Sequence, residues 1–125
     1  YLDKIKEDWQ NKVAKEDIVL ISGDISWAMK LEDAINDLEF IAKLKGKKIL
    51  IKGNHDLLLE ECCMREFPYS HDFSNGTVRT INDIGGAGEG YSFDRCCENT
   101  WNRTAAYRAS LVNYFETENY IFVHS

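Results

Sequence analysis

The nine residues KILIKGNHD, numbered 48–56, place a short apolar run directly before one glycine and three polar residues. The run predicts a β-strand that ends at the glycine. Residues 17–22 (DIVLIS) predict an earlier strand, rich in β-branched residues and buried on both faces, which is followed by Gly23 and Asp24. Glycine after a strand lets the backbone turn sharply and approach a bound group closely. Two strand ends of the same kind are therefore predicted.

Helical patterns alternate with these two strands. Apolar residues recur at intervals of three and four in residues 3–14 and again in residues 31–42, and Gly46 is a fitting stop for the second helix. Helix, strand, helix, strand in this order predicts an α/β fold with a parallel sheet and crossover helices. The chain has 125 residues, 44% of them hydrophobic, and no repeat or linker, so residues 1–125 are expected to form one domain.

Weaker patterns follow in the second half of the chain. They predict, in chain order, a third helix at 57–66, a hairpin turn at Asn75-Gly76, a flexible loop at 85–90, a helix from residue 99 or 100 to about 115, and a third parallel-type strand at 120–123. The glycines at 85–90 lack the spacing of a dinucleotide-binding loop.

Polar residues at the ends of the predicted strands carry the chemistry. Asp24 follows one strand, Asn54, His55 and Asp56 follow the next, and His124 follows the last. The carboxyl edge of a parallel sheet is where ligands bind, and these oxygen and nitrogen donors suit manganese, iron or zinc. A carboxylate can bridge two ions about 3.5–4 Å apart, and a histidine beside a carboxylate suits a general acid. Alone, Asp24 could be a helix cap and His124 a packed histidine; together the residues favour a metal site.

Composition excludes some classes of partner and location. The net charge is −6, which argues against nucleic acid as a scaffold. No apolar stretch is long enough for a membrane span and nothing resembles a signal peptide, so a cytoplasmic protein is expected. The cysteines form two adjacent pairs, 62–63 and 96–97, rather than a C-x-x-C spacing, and we expect ordinary reduced thiols.

Three segments resemble known motifs. Gly23-Asp24 and Gly53-Asn54-His55-Asp56 resemble the second and third signature motifs of the calcineurin-like metallophosphoesterases. Phe122-Val123-His124 resembles the strand that brings the next histidine ligand of that family. The resemblance implies a sandwich of mostly parallel central strands flanked by helices.

The same resemblance implies a role for each residue. Asp24 would bridge two divalent ions, and Asn54 and His124 would be ligands of the second ion. His55 would protonate the leaving oxygen, with Asp56 orienting it. The nucleophile would be a metal-bridging water or hydroxide, and the substrate a phosphorylated protein, a nucleotide or a small phosphodiester.

The chain departs from the family pattern in two places. Nothing before residue 17 resembles the family's first Asp-x-His motif, and its late histidine motif is not found before Ser125. We therefore expect a partial domain, incomplete at both ends, in which the isolated chain binds at most one ion and is inactive.

A further segment resembles one branch of the family. Residues 114–125 (YFETENYIFVHS) resemble the bacterial and phage serine/threonine protein phosphatases. The arginines that this branch carries after its second and third motifs are missing from residues 25–29 and 57–59. A general phosphoesterase is therefore favoured over a protein phosphatase. The alternative of another class is a non-catalytic α/β module that has lost its chemistry.

Overall fold

The computed structural model describes residues 2–23, 25, 31–65 and 67–124, with residues 31 and 32 described by backbone alone. The helices of these residues are α1 (Leu2–Lys12), α2 (Leu31–Ala42), α3 (Asn54–Met64), α4 (Ser70–Ser74), α5 (Thr77–Gly85), α6 (Phe93–Arg103) and α7 (Ala105–Ser110). The strands are β1 (Ile18–Ser22), β2 (Lys47–Ile51), β3 (Leu111–Val112), β4 (Phe115–Glu116) and β5 (Ile121–Phe122). None of these helices has the length and apolar character that a membrane crossing requires.

Three strands form a parallel sheet in the order β1-β2-β3. Ser22 lies opposite Ile51 in the first pair, and Leu50 lies opposite Leu111 in the second. Helix α2 connects β1 to β2, and the segment from α3 to α7 connects β2 to β3. The predicted α/β class, with a parallel sheet and crossover helices, is confirmed. The predicted bounds of α1, β1 and β2 differ from the observed bounds by at most two residues at either end, and those of α2 are the same.

Helix α1 is attached to the segment between α2 and β2. The Trp9 indole N–H donates to the Lys45 carbonyl at 2.9 Å, and the Lys45 ammonium donates to the Gln10 carbonyl at 2.7 Å. These reciprocal bonds satisfy carbonyls near the ends of two helices.

A hydrophobic core lies among the helices that follow β2. It contains four residues from α3, α5 and α6, namely Cys62, Ile81, Cys96 and Cys97. The Thr100 hydroxyl is fully buried and donates to the Ile81 carbonyl at 3.1 Å, so it keeps a hydrogen bond inside the core. A Cβ on Gly85 would lie 2.4 Å from the Cys96 carbonyl oxygen. Helices α5 and α6 therefore pack so closely at this point that only glycine fits.

The third helix begins three residues earlier than predicted. It starts at Asn54 and ends at Met64, instead of covering 57–66. The physical reason is the Asp56 carboxylate, which accepts a hydrogen bond from the Gly53 N–H at 2.9 Å and so satisfies a donor at the helix start. The Gly-Asn-His-Asp run is itself the beginning of the helix.

The predicted hairpin at Asn75-Gly76 is wrong. Asn75 ends α4, Gly76 precedes α5, and the Asn75 side-chain oxygen accepts from the Thr77 N–H at 3.0 Å. An Asn-Gly pair supplies a tight turn, and such a turn separates two helices as readily as two strands. Residues 85–90, predicted as a loop, include the end of α5 and a 3-10 turn at Ala87–Glu89.

The long helix predicted to reach residue 115 is also wrong. Helix α6 begins after Ser92, whose hydroxyl accepts from the Arg95 N–H, and it ends at Arg103. Thr104 separates it from α7, and its hydroxyl donates to the Thr100 carbonyl at 2.8 Å. The chain then leaves the helix to pair with β2, because the apolar residues of β3 complete the parallel sheet.

The last strand occupies a different sheet from the one predicted. Ile121–Phe122 pairs antiparallel with Phe115–Glu116, so the third parallel strand is β3 and not 120–123. The Thr117 N–H donates to the Tyr120 carbonyl at 2.8 Å, which closes a tight turn between β4 and β5. A connection this short joins antiparallel strands, whereas a parallel pair requires a crossover of a dozen residues or more.

Candidate active site at the carboxyl edge of the parallel sheet

The ends of β1 and β2 meet at two buried glycines. The Gly23 N–H donates to the Ile51 carbonyl at 3.0 Å, which holds the end of β1 against the end of β2. Gly23 has a φ of +32°, and a Cβ there would lie 2.8 Å from the Cα of Gly53. The backbone at Gly23 therefore lies closer to the backbone at Gly53 than a residue with a Cβ would allow.

His124 reaches the same point from the β4–β5 hairpin. Its Nδ1 would lie 2.9 Å from a Cβ on Gly23, so the imidazole packs directly against this glycine. The sequence pattern predicts that His124 arrives at this edge by way of a third parallel strand. The structure brings it there by way of an antiparallel hairpin whose last strand, β5, ends two residues earlier.

Asn54, His55 and Asp56 form the first turn of α3, directly after Gly53. The side chains of Asn54 and His55 are exposed, and Asp56 is half-buried. The N-terminal end of α3, with its unsatisfied N–H groups and partial positive charge, therefore lies at the carboxyl edge of the sheet.

Both oxygens of Asp56 have hydrogen-bond donors. Oδ2 accepts from the Gly53 N–H and Oδ1 accepts from the Tyr107 hydroxyl, each at 2.9 Å. Each carboxylate oxygen can accept more than one hydrogen bond, so these contacts leave room for a bond from His55. The predicted pairing of Asp56 with His55 stays a prediction.

An ion pair fixes α3 to the end of β2. The Lys52 ammonium contacts both carboxylate oxygens of Glu60 at 3.0 Å, and both side chains are largely buried. The Lys52 N–H also donates to the Val112 carbonyl at 2.7 Å, which ties the same residue to β3. Lys52, which follows β2, is therefore joined both to α3 and to β3.

Asp24 lies outside the described residues, so its predicted place between two ions stays a prediction. Within the part of the chain that is described, no three His, Cys, Asp or Glu side chains come together as a metal-binding group. Of the predicted ligands that are described, His124 packs on Gly23 and Asn54 follows Gly53. The structure therefore brings His124 and the Gly53-Asn54 segment to the residue that precedes Asp24.

Sequence reasoning missed Tyr107. It lies 51 residues after Asp56 on a different helix, and no motif or spacing connects the two. Its contact with Asp56 depends on how α7 lies relative to α3, and the spacing of apolar residues along the chain does not predict that arrangement.

These observations define an α/β protein whose candidate site lies at the carboxyl edge of a parallel sheet, with a histidine and a Gly-Asn-His-Asp turn against one glycine. The family model for calcineurin-like phosphoesterases matches residues 1–123. The chain belongs to the calcineurin-like phosphoesterase family, as its motifs predicted. Searches of curated proteins and of solved structures gave no match.

Proposed function

We propose that the protein hydrolyses phosphate esters with divalent ions, for which Asp24, Asn54 and His124 supply ligands. The observation that carries the proposal is the meeting of two segments at Gly23. His124 packs on this glycine, and Gly53, which precedes Asn54, lies against it as well. His124 therefore lies at this point of the sheet edge. Asp24 and Asn54 directly follow the two glycines that meet there.

The donor set fits a borderline-to-hard divalent ion. It combines a carboxylate, an amide oxygen and an imidazole nitrogen, which suit manganese, iron or zinc. Such ions, when bound, lower the pKa of water and offset the negative charge of a phosphoryl group. The missing Cβ of Gly23 supports the arrangement, because any larger residue would occupy the place of the His124 ring.

His55 is the proposed proton donor to the leaving oxygen. It is exposed in the first turn of α3, where a phosphate ester can approach it. The positive end of α3 favours an anionic group at the same place. Asp56 follows His55 and is held by Gly53 and Tyr107, so a carboxylate of fixed position is available to orient the imidazole.

The proposed substrates are phosphorylated proteins, nucleotides or small phosphodiesters. We favour a general phosphoesterase over a serine/threonine protein phosphatase. Leu57, Leu58 and Leu59 occupy the part of α3 where that branch carries an arginine that grips phosphate in a bidentate manner.

The test uses the full-length protein, supplied with Mn²⁺, and two chromogenic substrates, p-nitrophenyl phosphate and its bis ester. We expect Mn²⁺-dependent hydrolysis of at least one, and the ratio of the two rates separates a monoesterase from a diesterase. Asp24→Asn, which removes the charge of the shared ligand, should lose both bound Mn²⁺ and turnover. Absence of hydrolysis by a protein that carries bound Mn²⁺ would instead favour a non-catalytic module.

A further inference from the structure

Tyr107 makes a contact that links two distant parts of the chain at the candidate site. Its hydroxyl donates to Asp56 Oδ1 at 2.9 Å, across 51 residues of sequence. A hydrogen bond to a carboxylate is stronger than one between neutral groups. The contact therefore fixes one of the two oxygens of Asp56.

The other oxygen of Asp56 accepts from the Gly53 N–H at the start of α3. The carboxylate thus has one donor from its own helix turn and one donor from α7. Without the Tyr107 hydroxyl, Asp56 would keep the bond from the Gly53 N–H. Gly53 directly precedes α3, so that bond moves together with the helix. Of these two bonds, the one from Tyr107 connects the first turn of α3 to another helix.

Helix α7 is a firm support for this bond. The Arg108 guanidinium lies 3.5 Å from the centre of the Trp101 ring and donates to the Trp101 carbonyl at 2.9 Å, which ties α7 to α6. At its C-terminal end α7 runs directly into β3, where Leu111 lies opposite Leu50 of β2. Since β2 also leads into α3, both partners of the hydrogen bond are anchored to the same strand.

We propose that Tyr107 is a positioning residue that holds Asp56, and through it the turn that presents Asn54 and His55. The inference rests on the proposed function, because Asn54 and His55 are there the ligand and the proton donor. A shift of about 1 Å in such a turn is enough to lower turnover strongly. Tyr107 itself is not required to touch substrate.

The first test is a double-mutant cycle on the full-length protein that needs no activity. Tyr107→Phe removes only the hydroxyl, and Asp56→Ala removes its acceptor. We expect Tyr107→Phe to lower the urea midpoint in the wild-type background and to have little further effect in Asp56→Ala. If Asp56→Ala does not fold, Asp56→Asn replaces it and should reduce the effect. Full additivity would show that the contact does not exist and would overturn the inference.

The second test separates positioning from a merely structural role. We expect Tyr107→Phe to lower kcat about tenfold or more, to leave KM within about twofold, and to weaken Mn²⁺ binding measured by calorimetry. Tyr120→Phe is the matched control, because its side chain is exposed on the β4–β5 hairpin and keeps its ring contact with Phe122. A cycle that shows coupling, together with unchanged kcat and unchanged Mn²⁺ affinity, would overturn the positioning role.

Measurements on the wild-type protein distinguish failure of the proposed function from failure of the positioning role of Tyr107. If the wild-type protein neither binds Mn²⁺ nor hydrolyses either ester, the proposed function fails, and the positioning role fails with it. If the wild type is active and Tyr107→Phe equals it in kcat and in Mn²⁺ affinity, only the inference about Tyr107 fails.

Discussion

His55 and Asp56 are neighbours in the chain, yet their surroundings differ. His55 is exposed at the start of α3, whereas both Asp56 oxygens are held by donors. Replacing His55 by Gln removes the proposed proton donor without removing a proposed ligand. We expect bound Mn²⁺ to be retained and kcat to fall by about 10²–10⁴-fold.

The leaving group supplies the control for this variant. A good leaving group needs little protonation, so the loss in His55→Gln should be smaller for p-nitrophenyl phosphate than for an alkyl phosphate. Equal losses for the two substrates would argue against an acid role for His55.

Gly23 has no room for a side chain in the candidate site. Alanine there would adopt a left-handed φ and would place its Cβ 2.8 Å from the Cα of Gly53 and 2.9 Å from Nδ1 of His124. We expect Gly23→Ala to lower the free energy of unfolding by about 1–3 kcal/mol and to weaken Mn²⁺ binding, because the imidazole must move. Gly88→Ala is the matched control, since a Cβ there meets no atom within 4 Å. Equal Mn²⁺ affinity in Gly23→Ala and wild type would separate this glycine from the metal site.

At the scale of elements, the first half of the chain was predictable and the second half was not. The apolar runs of β1 and β2 and the amphipathic pattern of α2 predicted these elements, and the structure has them at or within one residue of the predicted bounds. The predicted burial of β1 on both faces is wrong, because its three central residues are half-buried and its two ends are exposed. The start of α3 depends on a hydrogen bond from the Gly53 backbone to Asp56, and a pattern of apolar residues does not register it. Likewise, Leu111 continues the helical pattern of α7 but is taken into the sheet by its pairing with Leu50.

The two cysteine pairs lie together at the interface between α3 and α6. The sequence did not predict that the pairs would be in contact. Burial is the main cause that raises the pKa of Cys62 to about 11 and of Cys97 to about 12, from an ordinary value of 9.0. For Cys62 the nearby charge of Asp72 adds to the effect. All four cysteines are free thiols.

These raised pKa values predict a dependence of stability on pH. Between about pH 9 and pH 12 the unfolded chain loses thiol protons that the folded chain keeps, so the free energy of unfolding should fall as pH rises. Cys97→Ala removes one of these groups and should show a smaller fall over the same range. Urea unfolding of the two proteins at pH 8 and pH 11 measures the difference. An equal fall in both would mean that the Cys97 thiol makes no contribution.

At the scale of the whole molecule, the candidate site depends on contacts between segments that are far apart in sequence. Gly23, Gly53 and His124 meet at one point, and Tyr107 reaches Asp56 from a separate helix. The residue types and their place after strands were enough to nominate Asn54, His55, Asp56 and His124. The route by which His124 arrives and the contact of Tyr107 with Asp56 follow only from tertiary packing, because the hairpin and α7 are positioned by pairing and hydrogen bonds.

The last prediction concerns residues 1–125 studied alone. In the proposed function, Asp24, Asn54 and His124 would bind one ion, and by the family resemblance only Asp24 of these residues would be shared with a second ion. Three protein ligands are enough for one solvated divalent ion, so we expect calorimetric titration with Mn²⁺ to give at most one site. Two-metal hydrolysis requires both ions to hold the attacking and leaving oxygens, so we expect hydrolysis of p-nitrophenyl phosphate no faster than background.

His124→Ala should abolish the Mn²⁺ site, whereas His71→Ala, which replaces an exposed histidine of α4, should leave it unchanged. Two tight Mn²⁺ sites, or clear turnover by residues 1–125, would show that the chain contains ligands beyond these three or completes its site by self-association.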